Sequence, residues 1–198
     1  MILPRRLALA APALLLAAAG PPSAQVGEAV EVVGSARADG ATGSRRLAPA
    51  ASLAQGDTLV TGTASLLRAR LRGEIDLRLG AEARLRLDSL GAGGTTLRRS
   101  AGPFWFSRPA TAPRSPVAVV SPAALIAVRG TAFWGGETAE GFSVFVARGA
   151  AEVSAQGQLV VLTAGQGTDV PPGGAPEAPV AWAASRIAAA LAAVGLTP

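Results

Sequence analysis

Residues 66–90 read LLRARLRGEIDLRLGAEARLRLDSL, and this stretch decides the fold. From Leu67 to Leu87 the odd positions are Leu67, Ala69, Leu71, Gly73, Ile75, Leu77, Leu79, Ala81, Ala83, Leu85 and Leu87. The even positions carry every charge: Arg68, Arg70, Arg72, Glu74, Asp76, Arg78, Glu82, Arg84, Arg86 and Asp88. Alanine, leucine and arginine favour helices by intrinsic propensity. A helix would spread these arginines around its circumference, whereas a strand sends successive side chains to opposite faces. A period of two kept this strictly outweighs propensity. The stretch predicts strands with one apolar and one ionic face, broken by turns near Gly73 and Gly80, where glycine can take positive φ. The fold class is all-β, built of short antiparallel or solenoid-like strands.

Working outward, the 198 residues suffice for one domain with a real core. With 24 glycines and 15 prolines the chain suits many short strands and tight turns. Cysteine, histidine, tyrosine and lysine are absent, so all 18 basic residues are arginine. That composition excludes disulfides, thiolate and Schiff-base chemistry, and the commonest general base and metal ligand. No cofactor is implied. Setting aside Arg5 and Arg6, which fall in a segment expected to be removed, 16 basic residues face 13 acidic ones, a net +3. A mild excess with interleaved acids does not point to nucleic acid.

Residues 1–24 combine Arg5 and Arg6 with an apolar run from Leu7 to Ala19, and small residues follow. The run is shorter than the roughly 20 residues that span a bilayer. It reads as a secretory signal peptide cleaved after Ala19 or Ala24, placing the mature protein in the periplasm or outside the cell. An uncleaved inner-membrane anchor is the alternative. Val26 to Val33 begins the body with a strand. Ser35 to Arg46 reads as a polar loop, and Leu53 to Thr63 as a turn at Gly56-Asp57 followed by a strand.

Beyond the alternating stretch, either Trp105 or the pair Phe104 and Phe106 faces inward. Val117 to Trp134 is the most apolar run of the mature chain and contains Arg129. Phe142 to Ala147 and Ala151 to Ser154 read as a strand pair joined through Arg148-Gly149, and Leu159 to Leu162 as a further strand. The body is taken as residues 25–170, followed over 171–198 by a Pro/Gly linker and a short helix with Trp182, Ile187, Leu191 and Val194 at near-helical spacing. LRARLRG, EIDLRLG and AEARLRL recur loosely, which leaves a β-solenoid and a packed sandwich both open.

Val128-Arg129-Gly130-Thr131 followed by Ala132 and Phe133 resembles the FecR-domain family. Further features fall in that family's order: the Gly56-Asp57 turn with Thr61, the Leu/Arg strands broken at Gly73, Val144 to Val153 around Gly149, and Leu162 to Gln166. The resemblance covers roughly Val30 to Asp169. It implies a β-rich extracytoplasmic sensor or scaffold that acts through an envelope protein partner. In the best-known members such a domain follows a membrane span and a cytoplasmic anti-sigma segment, which this sequence is not expected to carry. The turn Arg72-Gly73-Glu74 departs from the family's usual Asp-Gly-Ser.

Arg129, inside an apolar strand, is expected to be structural, held by backbone carbonyls or a carboxylate. Arg68, Arg70, Arg72, Arg78, Arg84 and Arg86 form either a solvated sheet face with cross-strand carboxylate pairs or a surface for anionic glycan or lipid headgroups. Glu74 and Asp76 could be forced into a glycosidase pair, but flanking arginines keep both ionised. The reading is of a non-enzymatic β domain working by protein–protein contact in envelope signalling or assembly, with polyanion binding as the rival.

Overall fold

The computed structural model describes residues 24–112, 115–128 and 132–197. The signal segment, apart from Ala24, and Arg129, Gly130 and Thr131 lie outside the described residues. In chain order the strands are β1 (Gln25–Val33), β2 (Ala36–Gly40), β3 (Gly43–Arg46), β4 (Ser52–Ala54), β5 (Thr58–Thr61) and β6 (Leu66–Leu71). Next come β7 (Ile75–Leu79), β8 (Arg84–Gly91), β9 (Gly94–Ala101), β10 (Phe104–Ser107), β11 (Val117–Val120) and β12 (Leu125–Val128). The last are β13 (Ala132–Thr138), β14 (Gly141–Arg148), β15 (Ala150–Ala155), β16 (Gln158–Thr163), β17 (Gln166–Val170) and β18 (Val180–Ala181), followed by helix α1 (Ala184–Ala192).

The strands form two nine-stranded sheets. Sheet A runs β18-β17-β14-β13-β10-β7-β6-β1-β4, and sheet B runs β16-β15-β12-β11-β9-β8-β5-β2-β3. The chain alternates between the two sheets: β6-β7 in A, β8-β9 in B, the single strand β10 in A, β11-β12 in B, β13-β14 in A and β15-β16 in B. It reverses at each strand. Neighbours separated by two strands are therefore antiparallel, while β9 and β11, separated by β10 alone, pair in parallel. The sheets share one core, to which Leu67, Leu71, Leu77 and Leu79 contribute from A and Leu85, Leu87, Leu97 and Ile126 from B. The architecture is thus two packed sheets along which the chain advances hairpin by hairpin. The sequence recurrence marks single strands, β6, β7 and β8, rather than solenoid rungs.

The period of two holds. Leu67, Ala69, Leu71, Ile75, Leu77, Leu79, Ala83, Leu85 and Leu87 are buried, while Arg70, Arg84 and Arg86 are exposed. Gly73 turns with φ +75°, but at the next turn the left-handed residue is Glu82 at φ 54°. Gly80 is required for another reason: a Cβ there would lie 2.1 Å from the Ala193 carbonyl oxygen.

Two further expectations need correction. Residues 35–46 are no loop but the hairpin β2-β3, because Ala36 and Ala38 alternate inward with no large apolar side chain to advertise it. The strands flanking Gly149 do not pair: β14 lies in sheet A and β15 in sheet B, and Gly149, at φ +93°, turns the corner between them. Residues 171–179 carry no strand or helix and are tied back to β17. Glu177 donates its N–H to the Asp169 carbonyl at 2.9 Å and accepts from Thr168 Oγ1 at 2.7 Å.

Phe104 and Phe106 face the core and meet Phe133 at centroid distances of 5.6 and 5.4 Å. Trp105 takes the outer side of sheet A, beside Trp134 in register. There the C-terminal segment covers it: Trp182 stacks on Phe145 at 5.0 Å and meets Trp134 edge-on at 5.9 Å, with Ala190 and Val194 completing a second cluster. Arg186 of α1 sits 3.9 Å above the Trp182 ring, pairs with buried Asp169 at 2.5 Å, and donates to Ser143 Oγ at 3.2 Å.

Candidate functional site

The family-motif residues within the described segments are pins between sheets. Gly56 turns at φ +89° ahead of Asp57, which is 2% exposed. The Asp57 carboxylate accepts from Ala54 N–H at 2.8 Å and from Arg45 of β3, so one side chain joins the turn to the β2-β3 hairpin. That carboxylate raises the already high pKa of the Arg45 guanidinium. Thr61 Oγ1 donates to the Gly80 carbonyl at 2.6 Å and accepts from Ala83 N–H at 2.9 Å, tying β5 to the turn between β7 and β8. Val128 and Phe133 are core residues.

The six arginines do not share a face. Arg68, Arg70 and Arg78 belong to sheet A and Arg84 and Arg86 to sheet B, with the common core between the sheets. Arg68 grips Asp76 with both nitrogens, at 3.0 and 3.1 Å, and Arg78 approaches the same carboxylate at 3.8 Å. Arg70 stands in register with Glu28 and Asp76. Arg72 turns back to donate to the Leu90 carbonyl at 3.1 Å, linking the two sheets. Arg86 and Arg98 both hold Asp88, at 3.0 and 2.9 Å. The sequence pattern is right about alternation, but the crossover between β7 and β8 sends the two halves of the stretch outward in opposite directions.

Two buried cations escape the sequence reading, Arg99 and Arg108, the second donating to the Ser115 carbonyl at 2.9 Å. Arg99 is 2% exposed, donates to the Gly102 carbonyl at 2.8 Å, pairs with Glu137 and lies 4.8 Å above the Phe142 ring. Carrying the period of two past Gly94 puts Thr95, Leu97 and Arg99 on one face, and that is the signal for it.

The outer surfaces of the sheets differ at their C-terminal ends. Sheet A is covered by Trp182 and α1, whereas sheet B leaves Leu125, Leu159 and Val161 about half exposed, at 45%, 57% and 51%. Leu125 and Leu159 flank Ser154 in one row, and Val161 follows beside Glu152. All three sit on or near β16, the edge of sheet B, whose sequence QLVVLT has no charge, glycine or proline. The other edges are short: β18 has two residues, β4 three, and β3 four including Arg45 and Arg46. Natural sheets blunt edges with shortness and charge. β16 has neither protection.

Among the described residues no helix is long and apolar enough to cross a membrane. Nor does any group of three or more His, Cys, Asp or Glu side chains there stand ready to hold a metal ion.

Among the described residues the body is all-β, its crossovers are pinned by side chains, and β16 is its longest uncharged edge. Residues 57–152 match the family model described as FecR protein, the stretch in which most of the motifs fall. Two crystal structures of a candidate anti-sigma factor from Parabacteroides distasonis ATCC 8503, at 1.65 and 2.50 Å resolution, share the fold. Each matches with a TM-score of 0.56 and 16% identity over 66% of this chain, which spans 62% of theirs. No curated protein matches the chain.

Proposed function

We propose that this is a non-enzymatic extracytoplasmic scaffold or sensor domain that works by protein–protein contact in envelope signalling or assembly. Residues 1–24 act as an export signal, residues 25–170 as the FecR-type domain and 171–198 as its closing segment; the working location is the periplasm. The observation that carries the contact role is the uncovered β16 edge. Alternate residues of this six-residue strand turn their backbone groups away from β15, with the Thr163 N–H already held by Gln166 Oε1, and the adjoining Leu125, Leu159 and Val161 form an apolar shelf. A partner that adds a strand satisfies the backbone groups, and alternate apolar side chains of that strand settle on the shelf. The FecR domain and the anti-sigma-like fold support a signalling role. The Arg68–Asp76 and Arg86–Asp88 pairs favour solvated, internally neutralised surfaces over a broad arginine face.

The test is site-specific photo-crosslinking in the envelope. A crosslinker at Leu159 should capture a discrete protein, and one at Arg70, on the opposite sheet, should not. Leu159→Lys with Val161→Lys should abolish capture while the far-ultraviolet dichroism of the purified protein stays unchanged. Undiminished capture by the double variant refutes the edge as the contact.

A further inference from the structure

Three pairs of arginines stand directly opposite each other across antiparallel strands: Arg68 and Arg78, Arg86 and Arg98, and Arg37 and Arg46. Like charges so placed destabilise a sheet. In the first two pairs a carboxylate straddles both guanidinium groups, Asp76 in one and Asp88 in the other. The third pair lacks such a bridge. Arg37 binds Asp39 at 3.1 Å, and the Arg46 side chain has no hydrogen bond or ion pair among the described residues. Asp39 is occupied: the Ser44 hydroxyl and Arg37 hold its carboxyl below the ordinary carboxylate range against the opposing effect of burial, and Arg84 adds to the lowering.

Beside the unbridged pair lies an open cleft of about 420 Å³, lined by Ser35, Arg37, Ser44, Arg46, Val60 and Gly62. The row continues across sheet B, because Arg37 registers with Val60 and Val60 with Arg84. Arg46, Arg37 and Arg84 therefore mark a straight line over four strands, about 14 Å at the usual strand spacing. Val60 is only 8% exposed and forms an apolar floor between the two guanidinium stems.

We infer that this cleft binds a carboxylate of an acidic polysaccharide, which supplies the bridge missing between Arg37 and Arg46. Guanidinium groups bind carboxylates through paired, charge-assisted hydrogen bonds. The serine hydroxyls offer partners to sugar hydroxyls, and the Val60 floor suits the apolar face of a sugar ring. A linear row of cations fits successive carboxylates of one polymer. A lipid surface suits the site less well, because Arg46, Arg37 and Arg84 stand in one row across the strands, a spacing that one extended polymer matches and independent headgroups do not. The site stands whether or not β16 takes a partner.

Fluorescence anisotropy with labelled polygalacturonate oligomers at low salt tests the inference. Arg46→Gln should weaken binding about tenfold, the loss of a charge-assisted contact. Arg98→Gln, whose carboxylate bridge is internal, should leave affinity within about twofold. Arg46→Glu should abolish binding without lowering Tm, since it relieves the like-charge pair. Equal binding by wild type and Arg46→Gln overturns the site. An equal loss in Arg98→Gln overturns it in favour of diffuse charge. Sedimentation with phosphatidylglycerol vesicles that depends on Arg46, in a protein indifferent to polygalacturonate, overturns it in favour of lipid phosphate.

Discussion

Asp57 shows how much one carboxylate can organise. Its two oxygens satisfy a turn N–H and the Arg45 guanidinium from a hairpin in the opposite direction of the chain. Removing it orphans the Ala54 N–H and leaves Arg45 with the Ser52 carbonyl alone. Asp57→Ala should destabilise the protein by about 1–3 kcal/mol, the usual cost of unpaired polar groups in a part-buried site. Urea unfolding monitored by circular dichroism measures it, and a change within experimental error would reduce Asp57 to a surface ornament. The Gly56-Asp57 signal was legible in the sequence; its partner was not. Arg45 sits in a segment whose inward residues are alanines, so no hydrophobic period revealed a strand there. Arg99 illustrates the same limit from the other side, because its parity marks it as inward while its charge argues for solvent. The nearby Gly102 carbonyl and Glu137 resolve that conflict, and Glu137 is too distant along the chain for local spacing to disclose.

At the scale of elements, the C-terminal segment has a clear energetic role. Helix α1 is short and has no side-chain N-cap. A nine-residue helix is marginal on its own in water, so its stability comes from packing. Trp182 supplies the anchor, wedged between Phe145 and Trp134 beneath Arg186. Trp182→Ala should remove about 3–5 kcal/mol of contact energy and release the segment. Limited proteolysis should then cut within residues 171–196 while the strand dichroism persists. A variant as protease-resistant as wild type would show that β18 and the Asp169–Arg186 pair suffice. The helix itself was legible from the spacing of Ile187, Leu191 and Val194. Its docking site was not, since Trp105, Trp134 and Phe145 become one surface only once sheet A is assembled.

Across the whole molecule, the two sheets share one continuous core and the tail closes the outer side of one of them. Cooperative unfolding should follow. All three tryptophans lie at the tail interface, whereas backbone dichroism reports on the strands. The two signals should trace coincident urea transitions. An earlier fluorescence transition would mean that the tail unfolds as a separate unit. Alternation within residues 66–90 foretold the strands and the buried leucines. It could not foretell that β7 and β8 part company, because period two describes a strand's faces and says nothing about which sheet receives it.

The hairpin-by-hairpin path bears on how such a chain matures. Each strand pairs only with strands made shortly before or after it; even β1 finds its last neighbour, β6, within the first third of the body. A polypeptide emerging N-terminus first, from a ribosome or a translocation pore, can therefore settle each ribbon as it appears, without waiting for the far end. The segment after β17 seals the aromatic patch, so its docking must wait for the sheet A strands that build that patch and reports that they are in place.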